Sequence, residues 1–329
     1  MKGCIDEKNE SKYKQIINFI IEQIDSGKLK KGDWIPSIND FRKKYNLSRD
    51  TVFAAITDLK TRGIIESTPG VGYISSVRKP SKKNIFLLFN EFTDFKQDLY
   101  NSFIGALDKT DSADLYFHNY NRKVFEALIN DAHGKYTTYV IMPGKFQGIE
   151  PILQALQGRV FLLDHYHNEL TGKYSSVAQN FEKDTYEALC SAANQVTKYK
   201  RIFMVQNEEK EPYERYNGLQ KFCVDYKLEH KYINSVHRRK IREGDLFILV
   251  SDRDLVDLLK QADKQKFAAG KEFGIISYNN TPLKEILSGG ITTLSTDFIK
   301  MGKTMASILN NKKVETIENA WTLDIRRSL

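Results

Sequence analysis

The chain has 329 residues, of which 41% are hydrophobic and 28% charged, a composition that excludes a disordered protein and favours two or three folded lobes. No apolar stretch is long enough to span a bilayer, and no apolar segment of a signal peptide follows Met1. Cys190 and Cys223 lack the spacing of metal ligands or of a disulfide framework, so we expect a reducing cytoplasm, no membrane association and no metal or other cofactor.

The formal charge of +8 is concentrated at one end of the chain. Residues 1–84 hold 17 Lys and Arg against 10 Asp and Glu, whereas residues 85–329 hold 33 against 32. A basic excess on a small domain is typical of a protein that binds phosphate backbones. The alternative is a solvated lysine-rich surface, which charge alone does not exclude.

A first helix is predicted over residues 12–26, because hydrophobic side chains recur there at helical spacing, and Gly27 is expected to end it. Residues 28–34 then form a turn. Ser37 is placed to cap a second helix, in which Asp40 completes an arrangement like a capping box.

A third helix is predicted to begin after Ser48, a natural N-cap. Its hydrophobic residues share one face: Val52, Ala55, Ile56 and Leu59. The opposite face presents Arg49, Phe53, Thr57 and Lys60. Two short helices joined by a tight turn, the second with an exposed Arg at its start, predict a helix-turn-helix, whose second helix reaches base edges in the major groove.

Two strands are predicted next, over residues 64–67 and 73–77, around a tip at residues 68–72. This hairpin is typical of a wing, in which Gly70 and Gly72 let the backbone approach phosphates closely. The alternative is a helical domain with a hairpin, in which both glycines only make a turn. Because the charge, the helix-turn-helix and the wing agree, we favour DNA binding.

The order of these motifs resembles the GntR family of winged-helix repressors, and it defines a first domain over residues 1–78. The matching segments are residues 32–37 (GDWIPS), 47–52 (LSRDTV), 63–65 (GII) and 70–74 (GVGYI). The resemblance implies that Ser48, Arg49 and Thr51 contact the operator, and that Gly70 and Gly72 lie in the wing.

Two positions depart from the GntR pattern. Family members often carry Arg at the positions of Asn39 and Phe53, so part of an Arg pair that reads guanine is missing. Asn39 is expected to contact phosphate or adenine, and Phe53 to pack either on a thymine methyl or beneath the wing or the linker. The expected DNA-contacting residues are Ser37, Asn39, Ser48, Arg49, Thr51, Phe53, Thr57, Gly70 and Gly72.

Residues 79–84 are predicted to be a basic linker, in which Pro80 limits the conformations and the positive charges repel one another. The linker either follows the DNA backbone or is merely solvated.

From residue 85 to residue 329, short apolar runs alternate with helical patterns, which is typical of a parallel α/β fold. Strands are predicted over residues 85–89, 115–118, 139–142, 160–163, 202–205, 246–250 and 274–277. Helices are predicted over residues 97–107, 124–130, 183–199, 213–226 and 254–262. Because open parallel sheets bind ligands at the carboxyl ends of their strands, a site should be sought just after each strand.

The residues that follow these strands combine carboxylates and amides with aromatic rings. Among them are Glu91, Phe92, Asp164, His165, Ser251, Asp252 and Asn279. A sugar needs such pairing, with polar groups for its hydroxyls and flat apolar surfaces for the C–H side of its ring, so the pattern predicts a sugar-type ligand.

The effector domain of LacI-type regulators is similar to this part of the chain in residues 214–219 (ERYNGL), 250–252 (VSD), 273–283 (FGIISYNNTPL), 290–298 (GITTLSTDF) and Gly302. The resemblance implies an α+β winged helix-turn-helix domain followed, over residues 85–329, by a two-lobed α/β domain like the type I periplasmic binding proteins. It also implies that the effector's hydroxyls meet Asp164, Arg215, Ser251 and Asn279, with Thr296 and Phe298 nearby.

Arg215 has an alternative role, and Asn279 departs from the LacI pattern. Arg215 either holds two vicinal hydroxyls or one carboxylate, or is an exposed helix charge paired with Glu211 or Glu214. Asn279 stands where the family usually has Asp, and Gln179-Asn180 replaces a segment that commonly carries Asp. Because Asn accepts with one end and donates with the other, the effector's hydroxyl pattern is expected to differ.

An enzyme is not expected. His165 and His167 would face the same side of an extended strand and are a candidate zinc pair, yet no third ligand is evident, so surface or pocket histidines are favoured. The sequence has no nucleophile elbow, no Walker loop and no dinucleotide-binding fingerprint.

We therefore expect a homodimer that binds a two-fold operator in double-stranded DNA and is controlled by a small effector, a monosaccharide. Closure of the lobes on the ligand would alter the spacing of the recognition helices. The favoured direction of regulation is repression that the ligand relieves. The alternative is a sugar-binding receptor without a DNA-binding role, against which the missing signal peptide and the basic first domain argue.

Overall fold

The computed structural model describes residues 12–26, 28–68, 72–76, 83–237, 239–311 and 313–329, and its strands form three separate sheets. The predicted cap at Gly27, most of the wing tip with Gly70, and most of the linker lie outside the described residues. None of the described helices has the length and apolar character that a bilayer crossing requires.

The first sheet belongs to a small helical unit. Its elements are α1 (Lys12–Asp25), β1 (Trp34–Ile35), α2 (Ile38–Tyr45), α3 (Arg49–Thr61), β2 (Ile65–Thr68) and β3 (Gly72–Ser75). The three strands are antiparallel in the order β1-β3-β2. Strand β1 was missed by the sequence analysis, which placed Trp34 in a turn, because two residues are too few to show an alternating pattern.

The core of this unit consists of the hydrophobic positions that the helical spacing predicts. Ile16, Ile17, Ile20 and Ile24 of α1 pack with Phe41 of α2 and with Val52, Ala55, Ile56 and Leu59 of α3. The caps also form as predicted, since Ser37 and Asp40 make a full capping box and Ser48 Oγ accepts a hydrogen bond from Thr51 N. Burial of one face of α3 leaves the opposite face for solvent.

The second sheet, in the order β14-β8-β7-β6-β4-β5, is entirely parallel and defines lobe 1. Its strands are β4 (Asn84–Phe89), β5 (Ser112–Phe117), β6 (Thr138–Ile141), β7 (Arg159–His165), β8 (Ser175–Gln179) and β14 (Thr316–Glu318). Its helices are α4 (Asp94–Ala106), α5 (Arg122–Ala132), α6 (Glu150–Ala155) and α12 (Phe298–Ile308). Hydrophobic clusters cover both of its faces.

The third sheet, in the order β10-β9-β11-β12-β13-β15, defines lobe 2 and is parallel except for β15. Its strands are β9 (Arg201–Val205), β10 (Glu229–Ile233), β11 (Asp245–Leu249), β12 (Gly274–Tyr278), β13 (Thr292–Thr296) and β15 (Trp321–Asp324). Its helices are α7 (Phe181–Ser191), α8 (Ala193–Val196), α9 (Glu214–Tyr226), α10 (Asp252–Gln265) and α11 (Pro282–Ile286). The single helix predicted over residues 183–199 is therefore wrong, because the chain leaves helical geometry at Ala192.

The chain passes between the two lobes three times, at residues 179–181, 296–298 and 318–321, and these segments form the hinge. Asn319 lies at its centre and is buried. Its backbone N–H donates to Ala178 O at 2.8 Å, and its side chain donates to Asp297 O at 2.9 Å. One buried residue of the third crossing thus contacts the second crossing and the end of β8, next to the first crossing.

Candidate functional site

The exposed face of α3 is the first candidate site. Arg49, Phe53, Thr57 and Lys60 are all exposed on it, and Phe53 is 54% exposed. Most of the wing tip and of the linker lie outside the described residues, so both roles of Phe53, contact with a thymine methyl or packing beneath the wing or the linker, stay predictions. A large apolar ring held open to solvent beside basic side chains suits contact with a thymine methyl in a groove.

The start of α3 is held rigidly by its cap. Ser48 Oγ lies 3.1 Å from Thr51 N and 2.7 Å from Thr51 Oγ1. The N-terminus of a helix carries partial positive charge, so Ser48, Arg49 and Thr51 stand where an incoming phosphate is favoured. All three belong to the predicted DNA-contacting set.

The remaining described members of that set lie around α3. Ser37 and Asn39 are exposed at the start of α2, where the hydrogen bond from Ser37 holds the pKa of Asp40 below its usual value. Gly72 begins β3 with a positive φ of 143°, and a Cβ added there would lie 3.8 Å from the ring of Trp34. Trp34 is exposed in β1 and was not among the predicted residues.

A cavity of about 600 Å³ between the two lobes is the second candidate site. It lies at the carboxyl ends of β4, β7, β9, β11 and β12, the edge where the sequence analysis sought a ligand. Eight of the ten predicted effector-contacting residues line it: Glu91, Asp164, His165, Arg215, Ser251, Asp252, Asn279 and Phe298.

Phe92 and Thr296, the other two predicted residues, do not line the cavity. Phe92 is 59% exposed and packs edge-on against Phe117, with ring centroids 5.9 Å apart. Thr296 is buried in the hinge, where its hydroxyl donates to Ala320 O at 3.2 Å and accepts from the side chain of Asn319 at 2.9 Å. Thr296 therefore stabilises the hinge and is not part of the cavity wall.

Arg215 forms the floor of the cavity and is 6% exposed. Its guanidinium lies between the rings of Phe181 and Tyr278, 4.6 Å and 4.7 Å from their centroids, and donates to Glu211 Oε2 at 2.5 Å. The two alternatives for Arg215 are thus partly combined, because it pairs with Glu211 and yet is buried in the cavity. Stacking on two aromatic faces fixes the plane of its donors.

Two cavity residues have left-handed backbones that aim their side chains. Asp164 has a φ of 77° and Asn279 a φ of 61°, a region that Asp and Asn enter more readily than most residues. Asp164 Oδ1 accepts from Gln179 Nε2 at 2.5 Å, so Gln179, in the segment where the family commonly has Asp, supports Asp164. Asp164 is the second-to-last residue of β7, and Asn279 directly follows β12.

Other predicted residues serve the protein's own structure as well. Ser251 Oγ caps α10 and accepts from Arg253 N at 3.2 Å. Asp252 forms an ion pair with the buried Lys284, whose Nζ lies 2.7 Å from Asp252 Oδ1 and also donates to the carbonyl of Asn279. Lys284 thereby secures the loop that presents Asn279.

Aromatic side chains supply apolar surface to the cavity. Phe95 and Phe298 stack with centroids 4.9 Å apart, one from α4 and the other from α12, and Phe181 and Tyr278 flank Arg215. Flat rings next to carboxylate, amide and guanidinium groups are the combination that a sugar ring requires.

Contacts from lobe to lobe cross the mouth of the cavity. Lys210 of lobe 2 lies 3.5 Å from Glu91 Oε2 of lobe 1, and its ammonium sits 5.3 Å from the ring centroid of Tyr120. Lys145 Nζ of lobe 1 donates to the carbonyl of Glu208. These polar contacts join half-buried and exposed groups at the surface, where ion pairs contribute little, so they permit the lobes to separate.

The two candidate zinc ligands have different surroundings. His165 lines the cavity, and burial lowers its pKa to about 4. His167 is buried and lies 2.8 Å from Gly144 O through Nε2 and 3.2 Å from Glu169 through Nδ1. Within the described ranges, no group of three or more His, Cys, Asp or Glu side chains is arranged to hold a metal ion.

Lys96 is a cavity residue that the sequence analysis missed. It is buried in the first turn of α4, lines the cavity and donates to Asn90 Oδ1. The helix predicted from the sequence begins at residue 97, which leaves Lys96 just outside it. A signal was present, since Lys96 follows β4 by only a few residues at the edge where ligands bind.

Comparison with protein families identifies the first unit. The family described as bacterial regulatory proteins of the gntR family matches residues 12–74, from α1 into β3. The protein described as "uncharacterized HTH-type transcriptional regulator YdfD", from Bacillus subtilis strain 168, is 40% identical over 63 residues. That match covers 19% of this chain and 13% of YdfD, so most of the relative's length lies outside it.

Comparison with solved structures identifies the fold of both lobes. A LacI family transcriptional regulator from Silicibacter pomeroyi has a TM-score of 0.65 at 17% identity, over 75% of this chain and 98% of that one. One from Enterococcus faecium, with bound ribose, has a TM-score of 0.61 at 15% identity, over 75% and 98%. The predicted fold, a helix-turn-helix region followed by a two-lobed α/β domain, is confirmed.

Proposed function

Because residues 12–74 form a gntR-type helix-turn-helix domain and the two lobes have the fold of LacI-type regulators, we propose that this protein is a transcription regulator controlled by a small polar effector. The observation that carries the proposal is the exposed face of α3 in the same chain as the cavity between the lobes. One surface has the shape and charge for a major groove, and the other has the lining for a sugar-sized molecule.

The proposed partner of the first unit is a double-stranded operator. Seventeen Lys and Arg among residues 1–84, against ten Asp and Glu, supply attraction to phosphates. Arg49, with Ser48 and Thr51 at the start of α3, is proposed to reach base edges and phosphates. Phe53 is proposed to read a thymine methyl, and Asn39 a phosphate or an adenine.

The proposed effector is of the sugar class. The cavity pairs the flat surfaces of Phe95, Phe298 and Tyr278 with polar groups from Asp164, Arg215 and Asn279. The regulator from Enterococcus faecium, which has the same fold, holds ribose. A monosaccharide fits the volume, since drug-sized ligands occupy cavities of about 300–1,000 Å³.

Control is proposed to work through lobe closure in a homodimer. The ligand would contact both lobes, and the hinge around Asn319 would transmit closure to the dimer interface and then to the two recognition helices. Only a ligand with different affinities for the open and closed states can shift DNA affinity. Repression relieved by the effector is the proposed sign of regulation.

The test is retention of DNA by the full-length protein. We expect a few discrete duplexes to be selected from random genomic fragments, with an affinity that falls steeply as salt rises. Arg49→Ala should weaken specific binding by about 10- to 100-fold and leave the thermal midpoint unchanged, because Arg49 is exposed and outside the core. Lys264→Ala, an exposed charge in lobe 2, is the matched control and should bind normally.

The competing function is a sugar-binding receptor without a DNA-binding role. It would be favoured if sugars raised the thermal midpoint while no duplex showed salt-sensitive affinity. The exposed Arg49 and Phe53 argue for the regulator, because a receptor has no use for a capped helix that holds an arginine and an aromatic ring open to solvent.

A further inference from the structure

Three polar groups that line the cavity are buried and incompletely paired. Lys96 is 4% exposed and donates one hydrogen bond, to Asn90 Oδ1, within the part of the chain that the structure describes. Thr93 Oγ1 and Arg215 Nε are buried and have no hydrogen-bond partner among those residues. Buried polar groups are almost always satisfied, so three unfilled positions around one cavity point to a ligand.

Of the three, Lys96 has the larger number of unfilled donors, since Thr93 Oγ1 and Arg215 Nε can each donate only one hydrogen bond. No described carboxylate forms an ion pair with its ammonium, which leaves two of its three N–H donors for the cavity. Burial lowers the pKa of Lys96, and the negative charges of Asp164, Glu91 and Glu211 oppose this shift only partly. A buried ammonium in this state is stabilised by a negative charge brought close to it.

Three of the five acidic residues that line the cavity have hydrogen-bond or ion-pair partners other than Lys96. Asp164 accepts from Gln179 at 2.5 Å, and Glu211 binds Arg215 at 2.5 Å. Glu91 accepts from Tyr120 at 3.3 Å and lies 3.5 Å from Lys210. Six Lys and Arg side chains line the cavity against five Asp and Glu, so the lining as a whole does not repel an anion.

Two of the unfilled groups, Thr93 and Lys96, lie at the start of α4. Thr93 precedes α4 and Lys96 lies in its first turn, so the positive end of the helix dipole adds to the ammonium charge. A hydroxyl donor, two ammonium donors and one guanidinium donor match the several acceptor lone pairs of an oxyanion better than they match a single sugar hydroxyl.

We propose that the effector is an anionic sugar, a hydroxylated ring bearing one carboxylate or phosphate group, and that Lys96 binds the anionic group together with Thr93 Oγ1 and Arg215 Nε. The ring then lies against Phe95 and Phe298, with its hydroxyls near Asp164 and Asn279. This inference rests on the proposed function, whose effector it specifies by charge.

The test compares acidic sugars with their neutral counterparts on the full-length protein. The carboxylate arm uses D-galacturonate and D-glucuronate, the phosphate arm D-glucose 6-phosphate and D-ribose 5-phosphate, and the neutral arm D-galactose, D-glucose and D-ribose. We expect at least one acidic probe to raise the thermal midpoint by about 5 °C at a hundredfold excess over its Kd, and its neutral counterpart to do much less. The arm that responds identifies the anionic group.

Lys96→Met isolates the charge while keeping the length of the side chain. Its affinity for the active acidic probe, measured by calorimetry, should fall about 10- to 100-fold. The thermal midpoint of the free variant should stay level or rise, because an unpaired buried charge has been removed. Lys96→Arg should retain part of the affinity, and Lys264→Met should behave as the unmodified protein.

Two results would overturn the anionic assignment. One is a neutral sugar that binds as tightly as its acid and is insensitive to Lys96→Met; the other is the absence of stabilisation by every acidic probe. Selection of genomic duplexes by the same preparation separates these failures from failure of the proposed function. Intact DNA selection with no response to acids rejects the anion alone, whereas loss of DNA selection rejects the regulator.

Discussion

Asn319 and Thr296 are joined by a hydrogen bond of 2.9 Å, from the side-chain amide of Asn319 to the hydroxyl of Thr296, at the buried centre of the hinge. Thr296 ends the last parallel strand of lobe 2, and Asn319 follows β14, the edge strand of lobe 1. The hydrogen bond therefore links two of the three crossing segments, about which any movement of the lobes relative to each other must occur.

Asn319→Ala is expected to weaken this hinge. The variant loses the donors to Thr296 and to Asp297 O and leaves buried acceptors unpaired, so the free energy of unfolding should fall by about 1–3 kcal/mol. Urea denaturation measures the change. Asn130→Ala, an exposed amide in α5, is the control and should stay within about 0.5 kcal/mol of the unmodified protein. Equal stability of Asn319→Ala and Asn130→Ala would show that Asn319 does not stabilise the hinge.

Substitutions of Ser48 can distinguish its role as a helix cap from its proposed contact with DNA. Ser48→Ala loses the cap to Thr51 N and should cost about 0.5–2 kcal/mol of stability. Ser48→Asp should keep the stability, because Asp caps as well as Ser, yet should repel phosphates and weaken DNA binding. Thermal denaturation and fluorescence anisotropy on one selected duplex give the two values. Normal DNA affinity of Ser48→Asp would contradict the proposed contact.

Gly302 allows α12 to pack closely on α4. A Cβ added at this position would lie 2.5 Å from Leu99 O and 2.9 Å from Phe103 N, both backbone atoms that cannot easily move aside. Gly302→Ala should therefore lower the free energy of unfolding by about 1–3 kcal/mol. Gly105→Ala in α4, where the added Cβ meets open space, should instead raise it by about 0.4–1 kcal/mol. Chemical denaturation of the two variants, expected to shift in opposite directions, tests the packing.

Asp184, in the first turn of α7 beside the hinge, should contribute to the pH dependence of stability. Burial raises its pKa from 3.8 to about 7 in the folded protein, so the folded state binds this proton more tightly than the unfolded state does. By linkage, the free energy of unfolding declines as pH rises from about 4 to about 7 on account of this group. Asp184→Asn removes the titration, so its advantage over the unmodified protein should grow across that range and be constant above it.

Urea midpoints of both proteins at several pH values measure this difference, and the titrations they share, such as that of His118, cancel in the comparison. A constant difference from pH 4 to pH 7 would show that Asp184 is not perturbed by burial.

Local patterns predicted the elements of the first unit because its caps and hydrophobic spacing are local. Ser37, Ser48 and the buried face of α3 lie where the sequence placed them. The break at Ala192 was not foreseen, because neither Gly nor Pro marks it. Polar edge strands such as β10 and β15 were also missed, since they lack the apolar runs that mark the central strands.

The candidate cavity was predictable in its position but not in its details. The ends of the predicted strands and the segments similar to LacI-type regulators identified eight residues that line the cavity. The hinge contact of Thr296 could not be predicted, because its partner Asn319 lies 23 residues further along and meets it only in the folded protein. Lys96 was missed for a related reason: burial of an ammonium is a property of the assembled lobes, and a charged residue near a helix start is ordinarily solvated.

The interleaving of the lobes has a consequence for synthesis on the ribosome. Lobe 1 begins with β4 but is covered by Met301 and Met305 of α12, and its edge is completed by β14, which emerge after nearly all of lobe 2. A nascent chain that has released only β4 to β8 therefore carries an apolar face that has not yet received its cover. Lobe 1 is incomplete until lobe 2 has nearly all been synthesised, so neither lobe can mature independently. Chaperones would be needed in the time between the synthesis of β8 and that of α12 and β14.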